Sequence, residues 1–434
     1  MSFTRRAFLD RTMKVGGISA AVTLKKGGFE RILAASRDME GVSPQEAAED
    51  ELFWGQIQQA FQVDRSIINL NNGGVCPSPT VVHEAFKRYL DVQNMTPSLW
   101  MWSYLRPGKE MVRKRLAETA GCDPEEIAIT RNASEAMEIA QFGLDFEPGD
   151  EVLTTDQDYP RMITTWRQRE LRDGIVLRQF PVPTPPRNKL ELVRHFEENI
   201  TPRTKAILLC HVMNITGQIY PVKEVCDMAH RRGIPVLVDG AHAFAHVVFN
   251  MHDLDCDYYG TSLHKWLTAP IGTGFLYVKR ERIKEHWPLM AASNPKADNI
   301  RKFEEIGTHP AAGINAINEA LVFFQAIGAE RKAARLHYLK MRWAERLTQH
   351  DRVYLRCNLD PSESVGVATV GIEGIPPAVL VRHLWSKHRI HCIAIGRADI
   401  NALRITPNVY TTPREIDMFV DAMEDVIRNG LPTD

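Results

Sequence analysis

Two short stretches of the sequence decide its interpretation: Val236-Leu237-Val238-Asp239-Gly240-Ala241-His242 and Tyr259-Gly260-Thr261-Ser262-Leu263-His264-Lys265-Trp266. The first is an apolar run that ends in an acidic residue, which is typical of a buried strand with a polar group at its carboxyl end. Open α/β sheets build their binding sites at that end. The second places a His-Lys pair shortly before the glycine-rich turn Gly272-Thr273-Gly274.

Working outward from these stretches, strand and helix patterns alternate. Apolar runs of strand length occur at residues 127–130, 151–154, 206–211, 236–239 and 274–278, and helical periodicity occurs at 80–91, 109–120 and 222–232. This alternation predicts an α/β protein with a mainly parallel sheet. A long helical stretch (314–349), strand patches (366–372 and 390–395) and a last helix (413–429) predict a smaller α+β domain after it.

Composition narrows the classes of partner. The chain has 434 residues, with 44% hydrophobic and 25% charged residues and a formal net charge of −1, which is ordinary for a globular protein and gives no electrostatic reason to expect nucleic acid. Its seven cysteines include no CxxC pair, so neither a metal site nor a disulfide framework is predicted. A small molecule is the expected partner.

The N-terminus carries a different signal. Thr4-Arg5-Arg6-Ala7-Phe8-Leu9 is a twin-arginine sequence, and the apolar stretch at residues 15–24 is too short for a transmembrane helix. Together they resemble a twin-arginine export signal, which predicts a periplasmic or exported protein with no membrane association after export. The alternative is a disordered basic N-terminus on a cytoplasmic protein.

These patterns predict that the chain is divided into four segments. Residues 1–40 are expected to form the signal and a linker, and 41–64 an N-terminal segment that packs on the small domain. Residues 65–313 are expected to form the large domain and 314–434 the small C-terminal domain.

Asp239 and Lys265 together indicate a cofactor. Pyridoxal 5'-phosphate (PLP) needs a carboxylate against its ring nitrogen, because the protonated ring draws electrons from a substrate Cα. It also needs a lysine amine that forms a Schiff base with it. Either residue alone is a weak signal, but their order along the chain and the glycine-rich turn that follows Lys265 favour a PLP site.

With these motifs, the chain resembles the class V aminotransferase family, a branch of the type I PLP fold. Its nearest likeness there is to isopenicillin N epimerase-like proteins, and cysteine desulfurases and selenocysteine lyases are related groups. The resemblance runs from Asn69 to the C-terminus. It implies a PLP-dependent enzyme with a large domain built on a mainly parallel seven-stranded sheet and a smaller α+β C-terminal domain.

The resemblance also implies roles for single residues. Lys265 would be the Schiff-base lysine, Asp239 the partner of the pyridine nitrogen, and His242 the contact to the phenolic oxygen. Tyr159 would stack on the cofactor ring. The phosphate would be bound by residues of the loop that opens a helix and by two residues just before the lysine: Asn132, Ala133, Ser134, Ser262 and His264.

Substrate and subunit contacts are implied in the same way. Arg404 matches the arginine that grips the substrate carboxylate, with Asn214 facing the same group and Asn72 on a substrate-side turn. Thr308 matches a residue that contacts the phosphate of the neighbouring subunit, which implies a homodimer with the active site at the subunit interface. The aromatic stretch 99–104 could line the pocket, or belong to the core or the interface.

The reaction stays open at this point. Removal of a Cα proton could lead to epimerisation or to transamination, and no second acid can be named from the sequence. A desulfurase or selenocysteine lyase would use a cysteine upstream of Arg404, where only Cys392 stands, in an alternating β-branched context that indicates a strand. A non-catalytic binding protein on the same fold is the remaining alternative.

Overall fold

The computed structural model describes residues 28–397 and 399–431. The twin-arginine stretch therefore lies outside the described residues. Within the part of the chain that is described, no helix is long and apolar enough to cross a membrane.

A seven-stranded sheet forms the centre of the molecule. Its strands, in chain order, are β2 Ile127–Thr130, β3 Glu151–Thr155, β4 Val176–Phe180, β5 Thr204–Cys210, β6 Val236–Asp239, β7 Tyr258–Ser262 and β8 Gly274–Val278. They lie in the order β2-β8-β7-β6-β5-β3-β4. All neighbours are parallel except those of β8, which runs antiparallel to both β2 and β7. The predicted fold class is confirmed.

Helices cover both faces of this sheet, which is why its central strands are buried and carry apolar residues at most positions. Those of the first part are α1 Gly28–Asp38, α2 Pro44–Glu49, α3 Glu51–Gln59, α4 Thr80–Met95, α5 Pro97–Leu99, α6 Arg106–Ala120, α7 Ala133–Phe142, α8 Pro160–Asp173, α9 Lys189–Asn199, α10 Val222–His230, α11 Met251–Leu254 and α12 Arg280–Ile283. A π-helix, Trp100–Leu105, joins α5 to α6. One apolar core lies on each face of the sheet.

A buried ion pair holds the 3₁₀ helix Ile300–Glu304 against the sheet. The Glu304 carboxylate accepts hydrogen bonds from Arg113 Nη1 at 2.7 Å and from the Ile129 N–H of β2 at 2.6 Å. The neighbouring guanidinium keeps the pKa of Glu304 below its usual range although burial acts in the opposite direction. This contact fixes the start of the segment that leads to Thr308.

The C-terminal part has its own sheet and core. After α13 Ala312–Asn315, α14 Ile317–Ile327 and α15 Ala329–Leu347 come β9 Val353–Leu355, β10 Ala368–Ile372, α16 Pro377–His388, β11 Ile390–His391, β12 Ile393–Ile395, β13 Ala402–Ile405 and α17 Pro413–Asn429. Strands β12, β13, β10 and β9 form an antiparallel sheet in that order. Strand β1, Ile68–Asn69, pairs in parallel with β11 and so ties the start of the large part to the small one.

Several elements differ from the sequence pattern. The long helical stretch breaks into α13, α14 and α15, and Gly328, at a φ of +90°, separates the last two. Strands β4 and β7 were not predicted, because Arg178 and Gln179 interrupt the apolar run of β4 and β7 (Tyr-Tyr-Gly-Thr-Ser) lacks aliphatic residues. Helix α2, in the predicted N-terminal segment, packs on α15, where Arg335 Nη1 donates to the Ala48 carbonyl at 2.8 Å. The limits of the four predicted segments stay predictions.

Candidate active site

A cleft at the carboxyl ends of the central parallel strands contains most of the predicted site residues. Its volume is about 500 Å³, and its walls come from the large sheet, from the turn after β1 and from β12 and β13. The predicted residues that line it are Asn132, Ala133, Ser134, Tyr159, Asn214, Asp239, His242, Ser262, His264, Lys265 and Arg404. The fold therefore brings eleven residues from several separate segments of the chain to one cleft.

Asp239 ends β6 and is buried. Its Oδ1 atom accepts the Ala241 N–H at 3.0 Å, which holds the carboxyl group at the floor of the cleft. Burial raises the pKa of Asp239, while the Ala241 hydrogen bond and the nearby Lys265 amine lower it. A buried carboxyl with one oxygen anchored to the backbone can accept a hydrogen bond from a protonated ring nitrogen with the other.

Lys265 follows β7 and projects into the same cleft. Burial lowers the pKa of its amine to about 8, although the nearby Asp239 carboxylate acts in the opposite direction and raises it. Its Nζ atom is 3.0 Å from His242 Nε2 and 5.9 Å from the centre of the Tyr159 ring. A neutral amine is the nucleophile that a Schiff base requires, and this environment makes the neutral form accessible near neutral pH.

The N-terminus of α7 forms the phosphate end of the cleft. Asn132 is the N-cap, and its side chain accepts the Glu135 N–H at 2.8 Å. The Ala133 N–H donates to Ser262 Oγ at 2.9 Å, which joins the helix start to the end of β7. A Cβ on Gly274 would lie 2.7 Å from Asn132 Cα, so only glycine lets β8 approach this loop. Amides at a helix N-terminus favour a phosphate dianion.

Arg404, on β13, forms the opposite end. Its Nη1 donates to the Asn214 carbonyl and its Nη2 to Asn71 Oδ1, both at 3.0 Å. Burial lowers its pKa to about 10, while the Tyr159 hydroxyl acts in the opposite direction. Arg404 Nε and Asn214 Oδ1 are buried and have no hydrogen-bond partner among the described residues. A planar guanidinium with an unsatisfied donor suits a carboxylate ligand.

Two predicted residues lie outside this cleft. Asn72 is fully buried behind it, where its side chain donates to Thr406 O at 3.0 Å and accepts from Tyr410 Oη at 2.6 Å. Thr308 is exposed and lines a separate depression with Trp102 of the π-helix. The aromatic stretch 99–104 therefore lies beside Thr308 and away from Lys265 of its own chain.

Sequence reasoning missed two parts of the cleft. Asn71, one position before the predicted Asn72, is the residue that contacts Arg404. The wall opposite the sheet is formed by residues 393–397, which include β12 and Arg397. The Asn-Asn-Gly-Gly turn signalled a ligand-facing loop, but its spacing did not show which asparagine faces inward.

The fold and the cleft together define a PLP enzyme of the lysine Schiff-base type, and comparisons with known proteins agree. The family model of aminotransferase class-V matches residues 68–419. The isopenicillin N epimerase of Streptomyces clavuligerus is 30% identical over 397 residues, which cover 86% of this chain and 98% of that protein. A probable cysteine desulfurase of Synechocystis sp. is 27% identical over 412 residues, which cover 86% and 95%.

A solved structure shares the fold. C-DES, determined as a mutant with glycine covalently linked to its PLP cofactor, superposes with a TM-score of 0.75 at 24% identity, over 85% of this chain and 99% of that one. The chain belongs to the class V aminotransferase family. It is therefore an enzyme, not a non-catalytic protein on the same fold, and its cofactor is PLP.

The residues present fit that cofactor. The cleft offers a buried amine with a lowered pKa, a buried carboxyl group on its floor and a helix N-terminus at one end. Lys265 would hold the aldehyde carbon, Asp239 the ring nitrogen and the start of α7 the phosphate. The unpartnered Arg404 Nε at the other end leaves a place for a substrate carboxylate.

Proposed function

We propose that this enzyme inverts the configuration at the Cα of an amino acid, as an epimerase or racemase similar to the isopenicillin N epimerases. One observation carries the proposal. The Lys265 amine and the Tyr159 side chain both line the cleft, with Nζ over the Tyr159 ring at 5.9 Å from its centre, and both interact electrostatically with Arg404. Inversion needs a proton acceptor on one face of Cα and a proton donor on the other.

When bound, PLP draws electrons from the bonds at the Cα of an attached amino acid and so makes its proton removable. Asp239 holds a proton on the ring nitrogen, and Arg404 orients the substrate carboxylate. Lys265 Nζ takes the proton from one face of Cα. The phenol of Tyr159, which also lines the cleft, returns a proton to the opposite face. Its side chain is 41% exposed, so solvent can replace that proton.

The position of Cys392 supports this choice over a desulfurase or selenocysteine lyase. Cys392 lies between β11 and β12 and is 2% exposed. Burial raises the pKa of its thiol to about 12, so the thiolate that would accept sulfur or selenium does not form near neutral pH. Cys210 lines the cleft, and burial raises the pKa of its thiol well above its usual range as well.

The test follows a panel of L-amino acids in D₂O by proton NMR, together with chiral chromatography. The wild-type holoenzyme should exchange Cα hydrogen and form the D-enantiomer without a keto acid. Tyr159→Phe keeps the ring but removes the phenol, so inversion should fall roughly 100-fold or more. Exchange with retention should continue for the enantiomer whose Cα hydrogen faces Lys265.

Two controls make this test specific. Lys265→Ala should abolish both exchange and inversion. Tyr338→Phe removes a phenol on α15, outside the cleft, and should change neither. If turnover requires a keto acid and yields no D-amino acid, the enzyme is an aminotransferase and the proposal is wrong. If Tyr159→Phe inverts its substrate at the wild-type rate, Tyr159 is not the second acid.

We also propose that the enzyme works as a homodimer in which Thr308 serves the cleft of the neighbouring subunit. Two observations support this proposal. Thr308 is exposed and shares a surface depression with Trp102, and Trp102 and Tyr104, both on the π-helix, are also exposed. Light scattering of the holoenzyme should give twice the mass of the chain. Mixing Thr308→Ala with Lys265→Ala subunits should leave one intact cleft per heterodimer.

We propose, for the localisation of the enzyme, that it is exported by the twin-arginine route. It rests on Arg5 and Arg6 with the apolar residues that follow. Fractionation of cells should place the enzyme outside the cytoplasm. The Arg5→Lys, Arg6→Lys double variant should retain it inside, and equal export of both forms would refute this route.

A further inference from the structure

His242 lies between Lys265 and Trp266 and is contacted through a different ring nitrogen on each side. Trp266 Nε1 is 3.3 Å from His242 Nδ1, and Lys265 Nζ is 3.0 Å from His242 Nε2. An indole N–H can only donate, so Nδ1 is the acceptor. Burial holds the pKa of His242 well below its usual range, so the ring is neutral. A neutral imidazole that accepts at Nδ1 carries its proton on Nε2.

We propose that Trp266 is a positioning residue, which holds His242 in the Nε2-protonated tautomer so that a hydrogen-bond donor faces the nitrogen of Lys265. The inference rests on the Schiff-base role given to Lys265 in the proposed function. It adds a task for a residue whose side chain does not line the cleft.

Trp266 is held in place from two further sides. Its ring stacks on that of His246, with the ring centres 3.7 Å apart and the planes 28° apart, and its carbonyl oxygen accepts a hydrogen bond from Lys332 Nζ. His246 is fixed in turn, because its Nδ1 donates to the His242 carbonyl at 3.0 Å and its Nε2 accepts the Gly366 N–H at 3.3 Å. Trp266 is fully buried. The indole therefore cannot turn its N–H away from His242 without disturbing these contacts.

The tautomer matters because it selects the form of the Lys265 amine. A donor at Nε2 stabilises the neutral amine, which has a lone pair to accept the hydrogen bond, whereas an ammonium group has none. Other titratable or charged groups also face Lys265 or His242, and of these only His246 contacts the Trp266 ring: Asp239, Arg404, Cys76, Cys210, His246, His264 and Tyr159. The neutral amine is the form that reacts with the cofactor aldehyde and accepts a proton.

Trp266→Phe tests this, because it keeps a buried aromatic ring against His246 and removes the N–H. The readout is the pH dependence of the rate at which apoprotein takes up PLP, followed by its visible absorbance. The pH of the half-maximal rate should rise by roughly half to one unit, the shift expected for the loss of one hydrogen bond.

Trp166→Phe is the matched control. Trp166 is as buried as Trp266, but its Nε1 has no hydrogen-bond partner among the described residues. The Trp166→Phe variant should take up PLP with the same pH dependence as the wild type. Identical profiles for Trp266→Phe and the wild type would overturn the proposal.

Two further measurements separate this effect from general damage. In a His242→Gln background the side chain cannot change tautomer, so adding Trp266→Phe should no longer move the profile; a full shift there would show that Trp266 acts by another path. Nitrogen-15 NMR of histidine-labelled wild-type apoprotein, assigned with His242→Gln, should show a protonated Nε2. A protonated Nδ1 would refute the proposal even if the enzyme proves to be an epimerase, and a correct tautomer would stand even if no amino acid is inverted.

Discussion

Replacement of Asp239 by asparagine isolates the contribution of one charge at the floor of the cleft. The two side chains have nearly the same shape, and an asparagine Oδ1 can still accept the Ala241 N–H that anchors Asp239. Lys265, which would hold the cofactor, is unchanged. The variant should therefore bind PLP and show its visible band, but it can no longer keep the ring nitrogen protonated through a carboxylate.

The size of the effect follows from burial. Loss of one partner of a buried charge pair costs about 3–5 kcal/mol, and each ~1.4 kcal/mol is a tenfold change in rate. Exchange of the Cα hydrogen should fall roughly 10²- to 10⁴-fold. The assay is deuterium incorporation at Cα under saturating PLP, with the rate expressed per mole of bound cofactor.

Asp257→Asn provides the comparison. Asp257 is a buried carboxylate at the other end of the same strands, where it accepts the Val236 N–H at 2.7 Å and pairs with His230. That variant should lose stability but exchange Cα hydrogen at the wild-type rate per bound PLP. If Asp239→Asn exchanges within a fewfold of the wild type, the assignment of Asp239 to the ring nitrogen is wrong.

Three other changes test separate parts of the molecule. Arg404→Lys cannot keep the two-pronged contact, so the dissociation constant of an amino acid, titrated by absorbance, should rise roughly 10- to 100-fold while PLP still binds. Glu304→Gln should lower the free energy of unfolding in urea by about 2–3 kcal/mol because the buried Arg113 guanidinium loses one of its two carboxylate partners and keeps the exposed Glu110, whereas the exposed Glu305→Gln should have little effect. The pKa of His230 is raised by its hydrogen bond to Asp257, so the charged pair stabilises the fold below the ordinary histidine pKa and this contribution disappears as the pH rises through the raised value. The urea midpoint of His230→Gln should therefore fall further below that of the wild type at pH 6 than at pH 9, and an equal difference at both would contradict this linkage.

The sequence predicted the strands that consist of aliphatic residues. Strands β2, β6 and β8 have the bounds that were expected, because both faces of these strands are buried and most of their positions are therefore apolar. Strand β7 was missed although it precedes Lys265, since its residues are small or aromatic. Strand β13 (Ala-Leu-Arg-Ile) was missed because the charged Arg404 interrupts its short apolar run.

The site was predictable where its residues follow one another along the chain, and less so where distant segments meet. Asp239, His242, Ser262 and Lys265 belong to two short motifs and lie together in the structure. The choice between Asn71 and Asn72 depends on how a turn is oriented against β13, more than 300 residues away in the chain. Spacing within the turn carries no information about that orientation.

The two ends of the cleft differ in how much of the polypeptide must exist before they can form. The phosphate end closes when Ser262 reaches Ala133, a separation of 129 residues, whereas the carboxylate end requires Asn71 and Arg404, which are 333 residues apart. During synthesis, the strands that support Lys265 leave the ribosome well before β13 does, and segments that emerge early can fold first. A nascent chain can therefore fold the phosphate end of the cleft long before the end that would bind a substrate carboxylate has been synthesised. During biosynthesis, the part of the cleft that contains Lys265 can thus form before the part that contains Arg404.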